Sequence, residues 1–340
     1  MDAEYPVAGS QGATRPLVRK KQGMKAIVHA GGGPDGLSLC DVAEPRAGPG
    51  ERLIEVGLAG VNYADLIGLR TGNNFLGGRP GDAIPGGEVV GCRIDTGERV
   101  VAICGSGGYA ERVAAPGNQI FPVPDDIDDA TALALFIQGL TAWHIVQTLG
   151  QPIKGARILI PSATGGVGLL ALQIARSGGA ARIVATTSSD VKSEMALRHG
   201  ADAVIDGNPE SFAARAIEAN EGRLFDLVLD RSGGTLFAEE LAATGPRGRI
   251  VSYGTSSGQP GQLSTASLLA GSRSLAGFWL MDFLDESAAA LHDIYALYRS
   301  GGVRPHIGLT LSLSEAAAAH SAIAARGTVG KLLLNPKGTP

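Results

Sequence analysis

The 340-residue sequence has few cysteines, few aromatic residues and no long apolar run. Its three cysteines are too few and too scattered for a disulfide framework or a metal cluster, which favours a reducing cytoplasm. No run is long and apolar enough to cross a bilayer, and the first residues lack the apolar stretch of a signal peptide, so we expect no membrane partner. A net charge of -4, with 18% charged residues, gives no basic footprint for nucleic acid.

Glycine, in contrast, is abundant. It accounts for 50 of 340 residues, about twice the usual share, and follows no fixed period. This abundance predicts many turns rather than a fibrous repeat. Hydrophobic residues make up 44% of the chain, enough for well-buried cores, and the length favours two domains.

The hydrophobic pattern divides the chain into four parts. Residues 1–23 are polar and aperiodic, which predicts a flexible tail. From 24 to 122, short apolar runs are broken by Gly, Pro and Asp, which predicts an all-β barrel or sandwich. From 123 to 277, a first helix is followed by alternating strand and helix patterns, typical of a parallel, doubly wound α/β sheet. Residues 278–340 are too few for a domain of their own, and we expect them to complete the first one.

The most informative segment runs from residue 156 to residue 192 and has the pattern of a βαβ unit. Its first turn, Ala163-Thr164-Gly165-Gly166-Val167-Gly168, fits the dinucleotide-binding pattern with alanine in the first glycine position. Gly165 would let the backbone approach a pyrophosphate, and Gly168 would let helix and strand pack closely. The helix N-terminus behind the turn would offer unpaired N–H groups to the phosphates. The segment therefore predicts a dinucleotide site.

The end of the second strand of this unit indicates which dinucleotide binds. An NAD site usually carries an acidic residue there, whereas this chain reads Thr186-Thr187-Ser188-Ser189, with Lys192 shortly after. Hydroxyl groups and an ammonium suit a 2′-phosphate, which a carboxylate would repel. Asp190 is the nearest acid, and a helix N-cap role explains it equally well. We therefore expect NADPH.

Several motifs stand in a fixed order along the chain. They are GVNYADLIGLRTG (60–72), IPGGEVVG (84–91), GERVV (97–101), GGYAE (107–111), FIQGLTAWH (136–144), SATGGVGLLALQIA (162–175), HGADAVID (199–206), SYGTSSG (252–258) and RGTVGKLLL (326–334). Together they resemble the medium-chain dehydrogenase/reductase superfamily, in its zinc-free quinone oxidoreductase branch. The resemblance implies a GroES-like, β-rich catalytic domain (24–122 and 278–340) and a Rossmann cofactor-binding domain (123–277), with the cofactor held between them. It also implies a homodimer joined near 250–280.

Zinc-dependent members of the wider superfamily hold a catalytic metal. Matching their motifs places Asn62, Gly87 and Ile137 at the ligand positions, and these residues are not a credible set of zinc donors. The resemblance therefore implies hydride chemistry without a metal.

The resemblance also assigns site residues. Asn62, Tyr63, Gln138 and Thr141 would lie near the nicotinamide, where Asn62 and Gln138 could donate hydrogen bonds to a substrate carbonyl. Tyr63 is either a proton donor or a packed aromatic, and Asp65 is expected to be a structural hydrogen-bond acceptor. The residues expected to bind the cofactor are Thr141, Ala163, Gly165, Gly166, Val167, Gly168, Thr187, Ser188, Lys192, Tyr253, Gly254, Phe278, Trp279 and Lys331. Two of these have structural alternatives, because Trp279 could be a core residue and Lys331 could simply end a strand.

We therefore expect NADPH-dependent reduction of a small electrophilic substrate, a quinone or an α,β-unsaturated carbonyl compound. Two alternatives stay open. One is an enoyl reductase acting in trans on thioester-bound polyketide or fatty acyl chains, although Asn74 stands where mitochondrial-type enoyl reductases carry a catalytic tyrosine. The other is a non-catalytic NADPH-binding protein, because binding does not prove chemistry.

Overall fold

The computed structural model describes residues 23–72, 76 and 83–338. The predicted tail (1–23), except its last residue, and Asn74 therefore lie outside the described residues. The strands β1 to β15 are, in chain order, Met24–His29, Leu37–Val42, Glu51–Val61, Glu88–Arg93, Arg99–Ile103, Arg112–Pro116, Ile120–Pro122, Arg157–Ile160, Arg182–Thr187, Ala203–Asp206, Phe225–Asp230, Thr244–Ser252, Ser274–Gly277, Ile307–Ser312 and Lys331–Asn335. The α-helices α1 to α10 are Tyr63–Thr71, Asp129–Ala134, Ile137–Trp143, Gly166–Ser177, Asp190–Arg198, Phe212–Ala219, Gly234–Ala243, Thr265–Leu269, Leu284–Arg299 and Ala316–Ala324.

The second half of the chain forms a six-stranded sheet in the order β10-β9-β8-β11-β12-β13. Every neighbouring pair in it is parallel. The direction of winding reverses between β8 and β11, so a crevice opens beyond the C-terminal ends of these two strands, where open α/β sheets bind their ligands. The expected parallel, doubly wound sheet is confirmed.

The other large sheet is mixed and has seven strands in the order β14-β15-β3-β4-β5-β7, with β6 paired to β3. Its strands come from both ends of the described chain, because β14 and β15 return and β15 pairs antiparallel with β3. This return agrees with the expectation that the C-terminal part completes the first β-rich part. The fold class, a β-rich part joined to a Rossmann α/β part, is therefore confirmed, whereas the limits of the two domains stay a prediction.

Two helical features differ from the sequence expectation. The segment 24–122 is not all-β, because α1 follows β3 directly, with Leu66 and Leu69 buried on one of its faces. The first helix expected in the segment 123–277 is interrupted, because the backbone of Phe136 (φ -77°, ψ -104°) leaves the helical region and α3 begins anew at Ile137. Both helix starts lie close to the predicted active site.

The largest hydrophobic cluster joins the two sheets. Helices α3, α4 and α9 pack between them, with Leu140, Leu170 and Ile294 fully or almost fully buried. Among the described residues, no helix combines the length and the apolar character needed to cross a membrane.

Candidate active site

The glycine turn occupies the C-terminal end of β8. Gly165 is the N-cap of α4 and no side chain caps this end, so the first N–H groups of the helix stay available to a ligand. A Cβ on Gly168 would lie 2.8 Å from the backbone of Ala163, whereas a Cβ on Gly165 would lie no closer than 3.6 Å to any neighbour. Gly168 therefore serves the packing of helix on strand, and Gly165 leaves open space on the crevice side. The close packing expected at Gly168 is thus observed, whereas the approach of a pyrophosphate to Gly165 stays a prediction.

The residues expected at a 2′-phosphate lie at the start of α5. Ser189, not Asp190, is the N-cap, and its hydroxyl accepts the backbone N–H of Lys192 at 3.4 Å. The Nζ of Lys192 donates to the carbonyl oxygen of Arg326 at 2.6 Å and to Ser188 Oγ at 3.4 Å. Partial burial lowers the pKa of Lys192. The lysine thus points along the crevice toward the segment that precedes β15.

That segment, residues 326–330, forms the opposite wall of the crevice. Besides the contact of Arg326 with Lys192, the N–H of Gly330 donates to the carbonyl oxygen of Thr164 at 3.1 Å. Gly330 and Gly165 form an isolated parallel bridge. The segment therefore touches both features that the sequence assigns to phosphate binding, and it places the mixed sheet directly against the glycine turn.

A buried polar cluster lies behind this wall and consists of Asn62, Glu88, Gln138 and Lys331. Glu88 is 0% exposed and Lys331 is 1% exposed, and the two side chains form an ion pair. Asn62 Nδ2 donates to Glu88 Oε1 at 2.7 Å, and Lys331 Nζ donates to Asn62 Oδ1 at 3.0 Å. Gln138 Nε2 approaches Asn62 Oδ1 at 3.4 Å. The structure thus brings together Asn62, Gln138 and Lys331, all predicted as site residues.

The mixed sheet makes this cluster possible. Glu88 begins β4 and Lys331 begins β15, and these strands flank β3 on opposite sides. The two side chains meet over Gly60, where a Cβ would overlap the Glu88 carboxylate. On the crevice side, a Cβ on Gly166 would overlap the amide of Gln138, so the cluster lies directly against the first residue of α4.

A second chain of polar groups supports the start of α1. Asp65 accepts hydrogen bonds from the N–H of Asn62 (2.8 Å), the N–H of Gly87 (3.2 Å) and the hydroxyl of Tyr109 (3.3 Å). Tyr109 lies 3.1 Å from Nε2 of the buried His320. Burial raises the pKa of Asp65 to about 6. The expected structural role of Asp65 as an acceptor is confirmed.

The aromatic residues expected near the nicotinamide are placed differently from one another. The hydroxyl of Tyr63 donates to the carbonyl oxygen of Ser256 at 3.3 Å, and the Arg231 guanidinium lies 5.9 Å from the centre of its ring. This contact crosses the crevice, and both interpretations of Tyr63 remain open. Trp279 is 54% exposed, so it is not a core residue, whereas Phe278 packs near the ring of His144.

The remaining predicted residues lie along the same edges. Thr141 is buried in α3, one turn after Gln138. Tyr253 and Gly254 follow the C-terminal end of β12, and the N–H of Tyr253 donates to the carbonyl oxygen of Asp230 at 2.8 Å. Their cofactor contacts stay a prediction, as do those of Ala163, Val167 and Thr187.

Glu88 was missed by the sequence reasoning. Its motif, IPGGEVVG, contributed to the resemblance, but its acidic residue was assigned no role. An available signal was a single acid at the head of an apolar strand, matched by a single lysine at the head of KLLLN. Buried charges are normally paired, so two such residues at the heads of apolar strands suggest each other as partners.

A catalytic zinc does not fit the matched positions. Gly87 has no side chain, and a Cβ there would overlap Leu76. Asn62 is already engaged by Glu88 and Lys331, and Ile137 carries no donor atom. Within 23–72, 76 and 83–338, no group of three or more His, Cys, Asp or Glu side chains is placed to hold a metal ion.

A doubly wound parallel sheet with a glycine turn, set against a mixed sheet that supplies buried amide and ammonium groups, defines a two-part dehydrogenase/reductase fold. A family described as zinc-binding dehydrogenase matches residues 166–296. The quinone oxidoreductase of Pseudomonas aeruginosa is 32% identical over 90% of this chain and 97% of its own length. A phenolphthiocerol/phthiocerol polyketide synthase of Mycobacterium tuberculosis is 32% identical over 72% of this chain, and the match spans 11% of that protein.

The solved structures agree with these relatives. A mycobacterial protein complexed with NADPH is 32% identical, with a TM-score of 0.83 over 92% of this chain and 100% of its own. The protein belongs to the medium-chain dehydrogenase/reductase superfamily, in its quinone oxidoreductase branch. The family resemblance read from the sequence motifs is thereby confirmed.

Proposed function

We propose that the protein is an NADPH-dependent, zinc-independent reductase of quinones or α,β-unsaturated carbonyl compounds. The observation that carries this proposal is the position of the buried amide and ammonium cluster directly against the glycine turn. A cofactor whose pyrophosphate lay on that turn would place its reactive ring near Asn62 and Gln138. A relative named quinone oxidoreductase and a structural neighbour complexed with NADPH support both parts of the proposal.

The chain offers binding groups along the whole crevice. The N–H groups of Gly166, Val167 and Gly168 face the pyrophosphate position, and Thr187, Ser188 and Lys192 face that of the 2′-phosphate. Tyr253, Gly254, Phe278 and Trp279 would line the nicotinamide end. When bound, NADPH supplies a hydride from C4 of its dihydronicotinamide ring.

The protein side chains would act on the acceptor. Asn62 has one side-chain N–H left after its bond to Glu88, and this N–H together with the Gln138 amide would donate to the substrate carbonyl oxygen. Such donors stabilise the negative charge that develops as hydride arrives at the conjugated carbon. The proton would then come from Tyr63 or from solvent.

The test is NADPH oxidation with a panel of quinones and simple enones. We expect turnover by the wild-type protein and a loss of about 100-fold or more when Asn62→Ala and Gln138→Ala are combined, because oxyanion donors typically contribute that much. Asn118→Ala combined with Gln151→Ala is the matched control, because both residues are exposed. The absence of turnover across the whole panel would contradict the proposal.

A second candidate is a trans-acting enoyl reductase on carrier-bound acyl chains. The match to a polyketide synthase favours it. Reduction of an acyl thioester without reduction of the corresponding free enone would replace the leading proposal with this one. NADPH binding without hydride transfer in stopped flow, to either substrate type, would instead indicate the non-catalytic alternative.

We further propose a homodimer and the domain limits expected from the sequence. Strand β13 is a terminal strand of the parallel sheet and carries Leu275 (41% exposed), while Leu269 (80% exposed) ends the preceding helix α8; both lie within the expected 250–280 interface. Sedimentation equilibrium would test the dimer.

A reducing cytoplasmic location is supported by Cys40, Cys92 and Cys104, which are all free thiols.

A further inference from the structure

We propose that Glu88 is a positioning residue that fixes the orientation of both substrate-facing amides, Asn62 and Gln138. The inference rests on the proposed reduction. It assigns a role to a residue that is 0% exposed and so acts through its neighbours rather than on the substrate.

The carboxylate of Glu88 is fully buried and accepts hydrogen bonds from three donors. Its Oε1 accepts from Lys331 Nζ and from Asn62 Nδ2, and its Oε2 accepts from the N–H of Ile137 at 3.3 Å. Lys331, itself 1% exposed, supplies the charge that a buried carboxylate needs. Glu88 therefore ties β4 to β15, to the residue that precedes α1 and to the first residue of α3.

The contact with Asn62 decides which of its atoms faces the crevice. A carboxamide offers two N–H groups and one oxygen. Glu88 takes one N–H, while Lys331 and Gln138 approach the oxygen at 3.0 and 3.4 Å. A flipped amide would place its oxygen against the carboxylate and its nitrogen against the ammonium, and both contacts would be repulsive. Glu88 thus keeps the second N–H of Asn62 directed away from itself, as a donor.

The contact with Ile137 acts on Gln138. The chain breaks from helical geometry at Phe136, so the start of α3 is not held by a preceding turn of helix. The bond from the N–H of Ile137 to Glu88 Oε2 anchors this start, and Gln138 is the next residue. One carboxylate therefore sets the side-chain orientation of one amide and the backbone position of the other.

The experiment is Glu88→Gln, measured by single-turnover hydride transfer and by NADPH affinity. Gln keeps the shape but cannot accept from all three donors. We expect the hydride-transfer rate to fall about 10- to 100-fold through misorientation, with the NADPH Kd changed by less than about 2-fold, a split that indicates lost transition-state interactions. In a background that lacks both amides, Asn62→Ala with Gln138→Ala, the same change should add less than about 2-fold, because residues that act through one another are not additive. Equal losses in both backgrounds would overturn the proposal.

Glu55→Gln is the matched control. Glu55 lies on β3 of the same sheet and makes an exposed ion pair with Lys337 at 3.0 Å, so its substitution makes the same chemical change outside the cluster. We expect no change in hydride transfer. If Glu88→Gln does not fold, the double variant Glu88→Gln with Lys331→Met leaves no unpaired buried charge, and it should fold and keep the reduced rate. Wild-type rates in a folded double variant would overturn the proposal.

A second readout does not depend on turnover. Hydrogen exchange of the Asn62 side-chain amide, followed by NMR on the ¹⁵N-labelled protein, should show one strongly protected N–H in the wild type and in Glu55→Gln, with protection lost in Glu88→Gln. An unprotected Asn62 amide in the wild type would overturn the positioning role. A protein that reduces no quinone or enone yet shows this protection would contradict the proposed function and leave the positioning intact.

Discussion

The two ends of the predicted cofactor crevice are built from different groups. At the phosphate end, backbone groups dominate: the glycine turn, the N-terminus of α4 and the carbonyl oxygen of Arg326. At the reacting end, side chains from distant parts of the chain satisfy one another inside the protein, as in the Glu88–Lys331 pair. A backbone site depends on the space around it, whereas a buried side-chain site depends on every partner being present.

Two lysines show the difference. Both were expected to bind the cofactor, but Lys192 is a partly buried residue of α5 with a carbonyl partner, and Lys331 is fully buried in an ion pair. Removing Lys192 leaves nothing charged without a partner. Removing Lys331 alone would leave the buried carboxylate of Glu88 without its charged partner. The effect of this substitution on cofactor binding could then not be separated from its effect on folding.

The largest effect is expected from Gly60→Ala. Its methyl group would overlap the Glu88 carboxylate and force the ion pair with Lys331 apart. Breaking a buried pair costs about 3–5 kcal/mol, so we expect the free energy of unfolding to fall by that amount. Urea denaturation measures it. Gly207→Ala, directly after β10, would bring the new methyl group no closer than 3.9 Å to any neighbour and should change stability little. Equal stabilities of the two variants would show that the cluster tolerates displacement.

A smaller effect, confined to binding, is expected from Lys192→Ala. Loss of a charged hydrogen bond to the 2′-phosphate, about 1.5–3 kcal/mol, should weaken NADPH binding by about 10- to 100-fold and leave NADH binding unchanged. The difference should shrink at high salt, because the Lys192 side chain is only partly buried and salt screens its charge. Fluorescence titration with both cofactors measures this. Lys154→Ala is the control, because this exposed lysine precedes β8 at the opposite edge of the sheet. Equal losses for NADH and NADPH would exclude a role in 2′-phosphate recognition.

The contrast between a backbone site and a buried side-chain site also explains which features could be predicted from the sequence. The βαβ unit and its glycine turn are local, because Gly165 and Gly168 act through the backbone within a few residues, and alternation of strands and helices is visible in the hydrophobic pattern. The Glu88–Lys331 pair joins residues 243 positions apart, and its existence depends on β3 lying between their strands. The break at Phe136 was hidden for a related reason, because tertiary contacts at Ile137 override a continuous helical pattern.

The smallest effect is expected from a change of pH, which acts on the reacting end of the crevice through the carboxyl group of Asp65. Burial raises the pKa of Asp65 from 3.8 to about 6, and the charge of Glu88 adds to this rise, while the N–H of Asn62 and the charge of Lys331 oppose it. Because the folded-state pKa is the higher one, the contribution of Asp65 to stability is greatest below about pH 4 and is lost as pH rises through about 6.

Activity should follow the opposite trend, because the ionised carboxyl of Asp65 accepts the N–H groups of Asn62 and Gly87 with both oxygens. We expect turnover to rise through about pH 6 while the unfolding midpoint falls over the same interval. Asp65→Asn cannot titrate, so its stability should depend less on pH between 4 and 6, although it loses one acceptor oxygen at every pH. Parallel stability curves for the wild type and Asp65→Asn would show that Asp65 titrates as an ordinary surface acid and that the polar groups around α1 are less buried than the cluster around Glu88.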